Sequence, residues 1–98
     1  MTDASPELAV LIVNYRTGEY LARCLDSLAA RAGAVSVETI VVDNASSDGS
    51  AEAARQWPDV QVIEMDRNSG FAVANNVGFR ASTGQYVLLL NKIGRAHV

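Results

Sequence analysis

The sequence predicts an α/β domain built on an open, mostly parallel, Rossmann-like sheet with the element order β-α-β-α-β-α-β. Short apolar runs of strand length alternate along the chain with amphipathic or Ala-rich helical segments. Repeated βα units of this length require parallel strands joined by crossover helices. The first apolar run, residues 8–13, has no polar interruption, which is typical of a strand buried on both faces.

Four apolar runs predict the strands of this sheet. The first ends at Asn14-Tyr15 and the second at Asp43-Asn44, so polar side chains follow both strands directly. In open α/β sheets, ligands bind at the carboxyl ends of the strands, and the second strand therefore delivers the Asp43 carboxylate to the expected binding edge. The predicted strands cover residues 8–13, 37–42, 60–65 and 86–90.

Three helices are predicted between these strands. The first has apolar residues at helical spacing on one face and runs to about Arg31, near Gly33. Asp48 is the expected N-cap of the second helix. The third contains the adjacent pair Asn75 and Asn76, although Asn is a poor residue for a helix interior. The second and third helices are predicted over residues 50–57 and 71–81, and the apolar face of the first consists of Leu21, Cys24, Leu25 and Leu28.

Length, charge and cysteine content narrow the possible functions. The chain has 98 residues, enough for one domain, and a net charge of −3 without a basic block, so its charge gives no support for nucleic acid or an anionic membrane as a partner. A single cysteine excludes an intrachain disulfide and favours a reducing compartment. The polar, acidic start predicts no signal peptide, and no apolar run is long enough to span a membrane. We expect a cytoplasmic protein. Location at the cytoplasmic face of the membrane stays an alternative for a longer parent protein.

The loops lack the glycine patterns of the commonest nucleotide-binding folds. The first βα loop, residues 14–18, contains neither G-x-G-x-x-G nor G-x-x-x-x-G-K-[ST], so a glycine cradle for phosphate is not expected there. The strand ends carry amide groups, one phenol and one carboxylate instead: Asn14, Tyr15, Asp43, Asn44 and Asn91. A carboxylate accepts from a pyrimidine ring N–H and a tyrosine ring stacks on a base. These groups are therefore suited to binding a base and a ribose.

Three ordered motifs resemble the amino-terminal half of family 2 glycosyltransferases, and most closely the rhamnosyltransferase-type branch. They are VLIVNY at residues 10–15, VVDNASSDGS at residues 41–50 and NSGFAVANNVG at residues 68–78. The resemblance extends from about Leu8 to Asn91. It implies an A-type glycosyltransferase fold of which residues 1–91 form a truncated half that binds the nucleotide sugar.

The resemblance also implies roles for individual residues. Asp43 corresponds to the base-contacting aspartate of the family, and Asn14 and Tyr15 to the loop that lines the nucleotide pocket, with Asn44 beside them. Asn68, Gly70 and Asn75 fall beside the ribose and diphosphate of the donor, where the start of the third helix can also present N–H groups to an anion. The expected ligand is a UDP-, dTDP- or GDP-linked sugar.

The carboxyl-terminal end departs from the family pattern. Family members follow the fourth strand with a metal-binding Asp-x-Asp, often Asn-Pro-Asp in this branch, whereas Asn91 is followed here by Lys92 and Ile93. The resemblance implies an inverting transfer that needs Mg²⁺ or Mn²⁺ and a general base. We expect the longer parent to have both, and this chain to supply no metal ligand and no catalytic residue. The chain alone is predicted to be inactive.

The last seven residues have an unusual sequence. Residues 92–98, KIGRAHV, can be back-translated into a common sequencing-library adapter. We therefore interpret 92–98 as a non-native read-through tail that follows a truncation after Asn91.

Each interpretation has an alternative. The alternative for Asp43 is a hydrogen bond within its own loop. For Tyr15 it is ordinary edge packing, and for Asn68 with Gly70 it is turn chemistry. At the level of the whole chain, the main alternative is a non-catalytic α/β module that binds a nucleotide. A signalling receiver domain would need an acidic cluster after the first strand, where Asn14-Tyr15 supplies none. An incomplete product with an unpaired sheet edge would be prone to association.

Overall fold

A computed structural model describes residues 6–16, 18–30, 36–57, 59–84 and 86–91. The seven elements alternate strictly between strand and helix. The strands are β1 (Leu8–Asn14), β2 (Val37–Asp43), β3 (Val60–Glu64) and β4 (Tyr86–Asn91). The helices are α1 (Gly18–Ala30), α2 (Ser50–Ala54) and α3 (Phe71–Ala81).

The four strands form one parallel sheet in the order β3-β2-β1-β4. The chain adds strands on one side of β1 and then crosses to the other side through α3. This reversal places a topological switch point between β1 and β4, where ligands of open α/β sheets bind. The register sets Asn14 directly beside Asp43, so the last residues of β1 and β2 are neighbours.

The two faces of the sheet carry different helices. Alternate side chains of a strand point to opposite faces, and Val10 and Ile12 of β1 pack with residues of α1 and α2. Leu11 and Val13 point the other way and pack with Ala74 of α3. The central strands β1 and β2 are therefore covered on both faces, which fixes their carboxyl ends in place.

A glycine lets α3 lie close to the sheet. A Cβ atom on Gly78 would lie 3.1 Å from Val42 Cγ2 and 3.3 Å from Leu11 Cδ2. A larger residue at this position would push α3 outward, because both neighbours are packed core side chains. The close approach of α3 to the sheet therefore depends on Gly78.

Most of the predicted elements are confirmed, with shifts at their ends. The element order and the bounds of α3 agree with the prediction, and β1, β2 and β4 each include one further polar residue. The prediction for α2 was too long, because the helix ends at Ala54 and the Trp57 N–H bonds to the Ala54 carbonyl at 3.2 Å in a tighter turn. A proline follows Trp57, and a proline disfavours helical geometry in the residue before it. The predicted end of α1 near Gly33 and the tail 92–98 lie outside the described residues.

Candidate functional site

Polar side chains are concentrated where β1 and β2 end. Hydrogen bonds continue the sheet beyond the strands, since the Asn44 N–H donates to the Asn14 carbonyl at 2.8 Å and the Met65 N–H to the Asp43 carbonyl at 2.8 Å. The buried polar residues at this edge come from β1, β2, the loop after β2 and the start of α2: Asn14, Asp43, Asn44, Ser46 and Ser50. The fold thus brings distant parts of the sequence together at one end of the sheet.

The Asn14 side chain is the centre of this group. Its Nδ2 lies 2.8 Å from Asp43 Oδ1, 2.8 Å from Ser50 Oγ and 3.2 Å from Ser46 Oγ. An amide NH₂ has two hydrogens, so these three acceptors share them. Asn14 is itself fully buried, and its bonds connect the end of β1 to β2, to the following loop and to α2.

The Asp43 carboxylate is held by two N–H donors. Its Oδ1 accepts from Asn14 Nδ2 at 2.8 Å and its Oδ2 accepts from the Ser46 N–H at 3.1 Å. The residue is 3% exposed. The structure therefore shows that Asp43 organises its own loop, and each oxygen keeps a further lone pair that can accept a hydrogen bond. Contact with a base stays a prediction.

Two serines that the sequence did not single out complete the network. Ser46 Oγ accepts from the Arg16 N–H at 2.8 Å, so it ties the loop after β1 to the loop after β2. Ser50 donates its hydroxyl and its N–H to Asp48 Oδ1. These bonds from Ser50 lower the pKa of the Asp48 carboxyl. The prediction that Asp48 is the N-cap of α2 was therefore wrong by one residue: Gly49 occupies the N-cap, and Asp48 precedes it and bonds to Ser50, the first residue of the helix.

Asn44 connects a different pair of loops. Its Oδ1 accepts from the Ser69 N–H at 3.0 Å and from Ser69 Oγ at 3.4 Å, and its Nδ2 donates to the Gly70 carbonyl at 3.3 Å. Asn68 makes a local bond instead, because its Oδ1 accepts from the Gly70 N–H at 3.0 Å. The loop before α3 is therefore attached to the end of β2 through Asn44.

The loops at this edge also contain unfavourable backbone conformations. Arg16, Ala45 and Ser47 have φ values of 58°, 64° and 58°, in the left-handed region that costs a non-glycine residue roughly 1 kcal/mol or more. Strained residues of this kind cluster at functional sites, where surrounding contacts maintain them. Here the Arg16 N–H is held by Ser46, which lies between the two strained residues of the second loop.

The predicted site residues differ in their exposure. Tyr15 is 41% exposed at the rim, with the Arg16 guanidinium carbon 5.4 Å from the centre of its ring. Asn68 and Gly70 are also exposed, whereas Asn75 is half-buried and its neighbour Asn76 is exposed. Among the residues that the structure describes, the Asn75 Oδ1 atom is buried without a hydrogen-bond partner. A buried polar atom without a partner is costly, which makes Asn75 a candidate for a ligand contact.

The described ranges contain no group of three or more His, Cys, Asp or Glu residues able to hold a metal ion. The departure from Asp-x-Asp at Lys92 and Ile93 lies outside those ranges. None of the helices described is sufficiently long and apolar to cross a bilayer.

Comparison with known families identifies the chain. The model of the family described as glycosyl transferase family 2 matches residues 9–92. The chain belongs to this family. The family and the A-type fold expected from the three motifs are therefore confirmed, and the carboxyl edge described above is the corresponding edge of a family 2 glycosyltransferase domain.

Solved structures share the fold of this glycosyltransferase chain. A mannosyltransferase from Pyrobaculum calidifontis, in complex with GDP-Man and Mn²⁺, is 28% identical with a TM-score of 0.79, over 90% of this chain and 28% of that one. The S. aureus protein TarS, residues 1–349, is 27% identical with a TM-score of 0.75, over 87% of this chain and 27% of that one.

The sequence of a curated relative matches a similar share of this chain. The succinoglycan biosynthesis protein ExoO of Rhizobium meliloti is 32% identical over 91 residues, which are 91% of this chain and 26% of that protein. The chain thus spans about a quarter of the length of the relatives that it matches.

Proposed function

We propose that this chain is the donor-binding half of a family 2 glycosyltransferase that transfers a sugar from a nucleotide diphosphate to an acceptor hydroxyl with inversion. The observation that carries the proposal is the buried network in which Asn14 holds Asp43 at the carboxyl ends of β1 and β2, with the exposed Tyr15 directly after Asn14 in the chain. A relative with the same fold was solved with GDP-Man and Mn²⁺, which supports a nucleotide sugar as the donor.

The residues divide between the two ends of the donor. Asp43 has lone pairs available for a base N–H, and Tyr15 offers an aromatic face to the base. Asn68, Gly70 and Asn75 belong to the loop and helix assigned to the ribose and diphosphate. Asn75 supports this assignment best, because its buried Oδ1 has no partner among the described residues and can accept from a ribose hydroxyl.

The transfer itself needs groups that we assign to the rest of the parent enzyme. A carboxylate general base would deprotonate the acceptor hydroxyl. Mg²⁺ or Mn²⁺, when bound, would offset the charge of the leaving diphosphate. We infer that this chain alone binds a nucleotide weakly and catalyses no transfer, and that the parent acts in the cytoplasm or at its membrane face in the synthesis of a surface polysaccharide. A sugar-transfer assay with a radiolabelled donor tests the inactivity of the chain, which turnover would contradict.

Nucleotide titration tests donor binding. GDP, UDP and dTDP are added to the chain with and without Mg²⁺, and backbone amide chemical shifts are followed by NMR. The Tyr15→Ala variant should bind the preferred nucleotide about tenfold more weakly, since stacking on one base contributes roughly 1–3 kcal/mol. Tyr86→Ala is the matched control, because Tyr86 is 72% exposed at the opposite end of the sheet.

Two results would change the assignment. Equal effects of the two tyrosine substitutions, or no binding of any nucleotide, would contradict donor binding at this edge. Tight binding that does not depend on Mg²⁺ would favour a non-catalytic nucleotide-binding module instead.

A further inference from the structure

We propose that Asn44 is a positioning residue that ties the end of β2 to the loop before α3 and thereby presents this loop to the diphosphate of the donor, without contacting the donor itself. The proposal rests on the proposed function for the identity of the ligand. Its structural basis is a side chain that uses both ends of its amide on one two-residue segment, Ser69-Gly70.

The burial of Asn44 argues for an indirect role. The residue is 3% exposed. Its Oδ1 already accepts two bonds from Ser69, which is the capacity of a carbonyl oxygen with two lone pairs. Its Nδ2 donates to the Gly70 carbonyl at 3.3 Å. The oxygen of this buried side chain and one of its two N–H groups are therefore used within the protein.

The two segments joined by Asn44 differ in how firmly they are held. On one side, β2 is a central strand, and the Asn44 N–H continues the sheet by donating to the Asn14 carbonyl at 2.8 Å. On the other side, residues 66–68 and Gly70 are exposed, and α3 has no side-chain hydrogen bond at its N-cap. Asn44 thus attaches an exposed loop to a central strand of the sheet.

The bond to Gly70 acts at the start of α3. The Gly70 carbonyl accepts from Asn44 Nδ2 and also from the Ala74 N–H at 3.2 Å, the first bond of the helix. Fixing this carbonyl fixes where α3 begins and how the preceding loop is directed. The base-contacting side of the site depends on Asn14 and Asp43, whose mutual bond does not involve Asn44. Loss of Asn44 should therefore loosen the diphosphate side alone.

The test separates binding of the nucleoside from binding of its diphosphate. The affinities of the chain for the nucleoside and for the nucleoside diphosphate of the preferred base are measured by NMR titration. The three proteins compared are the wild type, Asn44→Ala and Glu38→Ala. In Asn44→Ala we expect the diphosphate to bind about tenfold more weakly, because the loop that faces it loses its side-chain hydrogen bonds to β2, while nucleoside affinity stays within about twofold.

Glu38→Ala is a matched control for a lost side-chain contact near α3. The Glu38 Oε1 accepts from the Thr83 N–H at 2.8 Å and from its hydroxyl at 3.4 Å, beyond the far end of the helix. Both affinities should stay at wild-type values in this variant. If Asn44→Ala does not fold, Asn44→Ser replaces it, because a hydroxyl keeps a polar atom at the buried position but is too short to reach Gly70.

The outcomes are distinguishable. A selective loss of diphosphate affinity in the Asn44 variant supports the proposal. Unchanged diphosphate affinity, or an equal loss for nucleoside and diphosphate, overturns the positioning role while leaving nucleotide binding in place. A wild-type chain that binds neither form overturns the proposed function, and the role of Asn44 with it.

Discussion

The two ends of the parallel sheet are held together by different interactions. At the carboxyl end, buried polar side chains join the loops, with Asn14 bonded to Asp43 and Asn44 bonded to Gly70. At the amino end, small residues bring backbone segments into contact, and a Cβ atom on Gly84 would lie 2.6 Å from the Ala9 nitrogen. The side-chain bond there, from the Thr83 N–H to Glu38, is exposed to solvent.

This difference indicates that stability alone does not explain the polar carboxyl end. Burying polar groups costs free energy unless each is hydrogen-bonded, and close packing of small residues achieves the same connection more simply. The carboxyl end also has the positive φ angles of Arg16, Ala45 and Ser47, although Asp59 before β3 shows one as well, at 67°. The buried network and the strained loops agree with the binding site proposed at this end.

The largest effect on stability is expected at the carboxyl end. Asn14→Ala removes the donor that Asp43, Ser46 and Ser50 share, and buried acceptors left without a donor should lower the free energy of unfolding by about 3 kcal/mol. Urea denaturation measures this change. Glu38→Ala removes an exposed bond at the other end and should cost about 0.5 kcal/mol or less. Equal costs would remove the distinction between the two ends.

The amino end should respond to volume. Gly84→Ala places a Cβ against the backbone of Ala9, which cannot move easily, and we expect a loss of about 2 kcal/mol without a change in nucleotide affinity. Gly49→Ala is the comparison, because no atom lies within 4 Å of the added Cβ and the Gly49 φ of 85° alone opposes the substitution. This substitution should lower the free energy of unfolding by about 1 kcal/mol. A smaller loss for Gly84→Ala than for Gly49→Ala would contradict the packing explanation.

The smallest effect is a pH dependence at the edge of the network. Hydrogen bonds from Ser50 hold the pKa of Asp48 below its ordinary value of 3.8, so this stabilisation is present above that value and is lost as pH falls through the lowered pKa. Ser50→Ala removes the hydroxyl bond. Its destabilisation relative to wild type should therefore be constant above the ordinary pKa of Asp48 and should shrink as the pH falls below that value, measured by urea denaturation. A difference that is constant with pH would show that Asp48 does not contribute.

The elements of the fold could be predicted from sequence because local patterns determine them. The apolar run of residues 8–13 and the spacing of Leu21, Leu25 and Leu28 specify a buried strand and an amphipathic helix without reference to the rest of the chain. The strand order β3-β2-β1-β4 did not follow from such patterns, because α3 can cross either face of the sheet. The end of α2 was misplaced because the helix was predicted to continue up to the proline after Trp57, whereas it ends at Ala54.

The candidate site was predicted only in part. Asn14, Asp43 and Asn44 were identified because polar residues that follow buried strands must lie at the carboxyl edge. Ser46 and Ser50 were missed, since serine in a loop ordinarily indicates a turn. Their role depends on a hydrogen bond from Asn14, which lies 32 and 36 positions earlier in the chain. No sequence pattern indicates this partner, because the register that places Asn14 beside Asp43 is known only from the structure.

A nucleotide is proposed to bind at the carboxyl end of the sheet. Mapping amide chemical shifts on titration with GDP, UDP or dTDP tests it directly, because both ends of the sheet report in one experiment. We expect the largest shifts at Tyr15, Asn44 and Gly70, while Glu38, Thr83 and Gly84 stay unchanged. Shifts concentrated at the amino end, or no shifts with any of the three nucleotides, would contradict it.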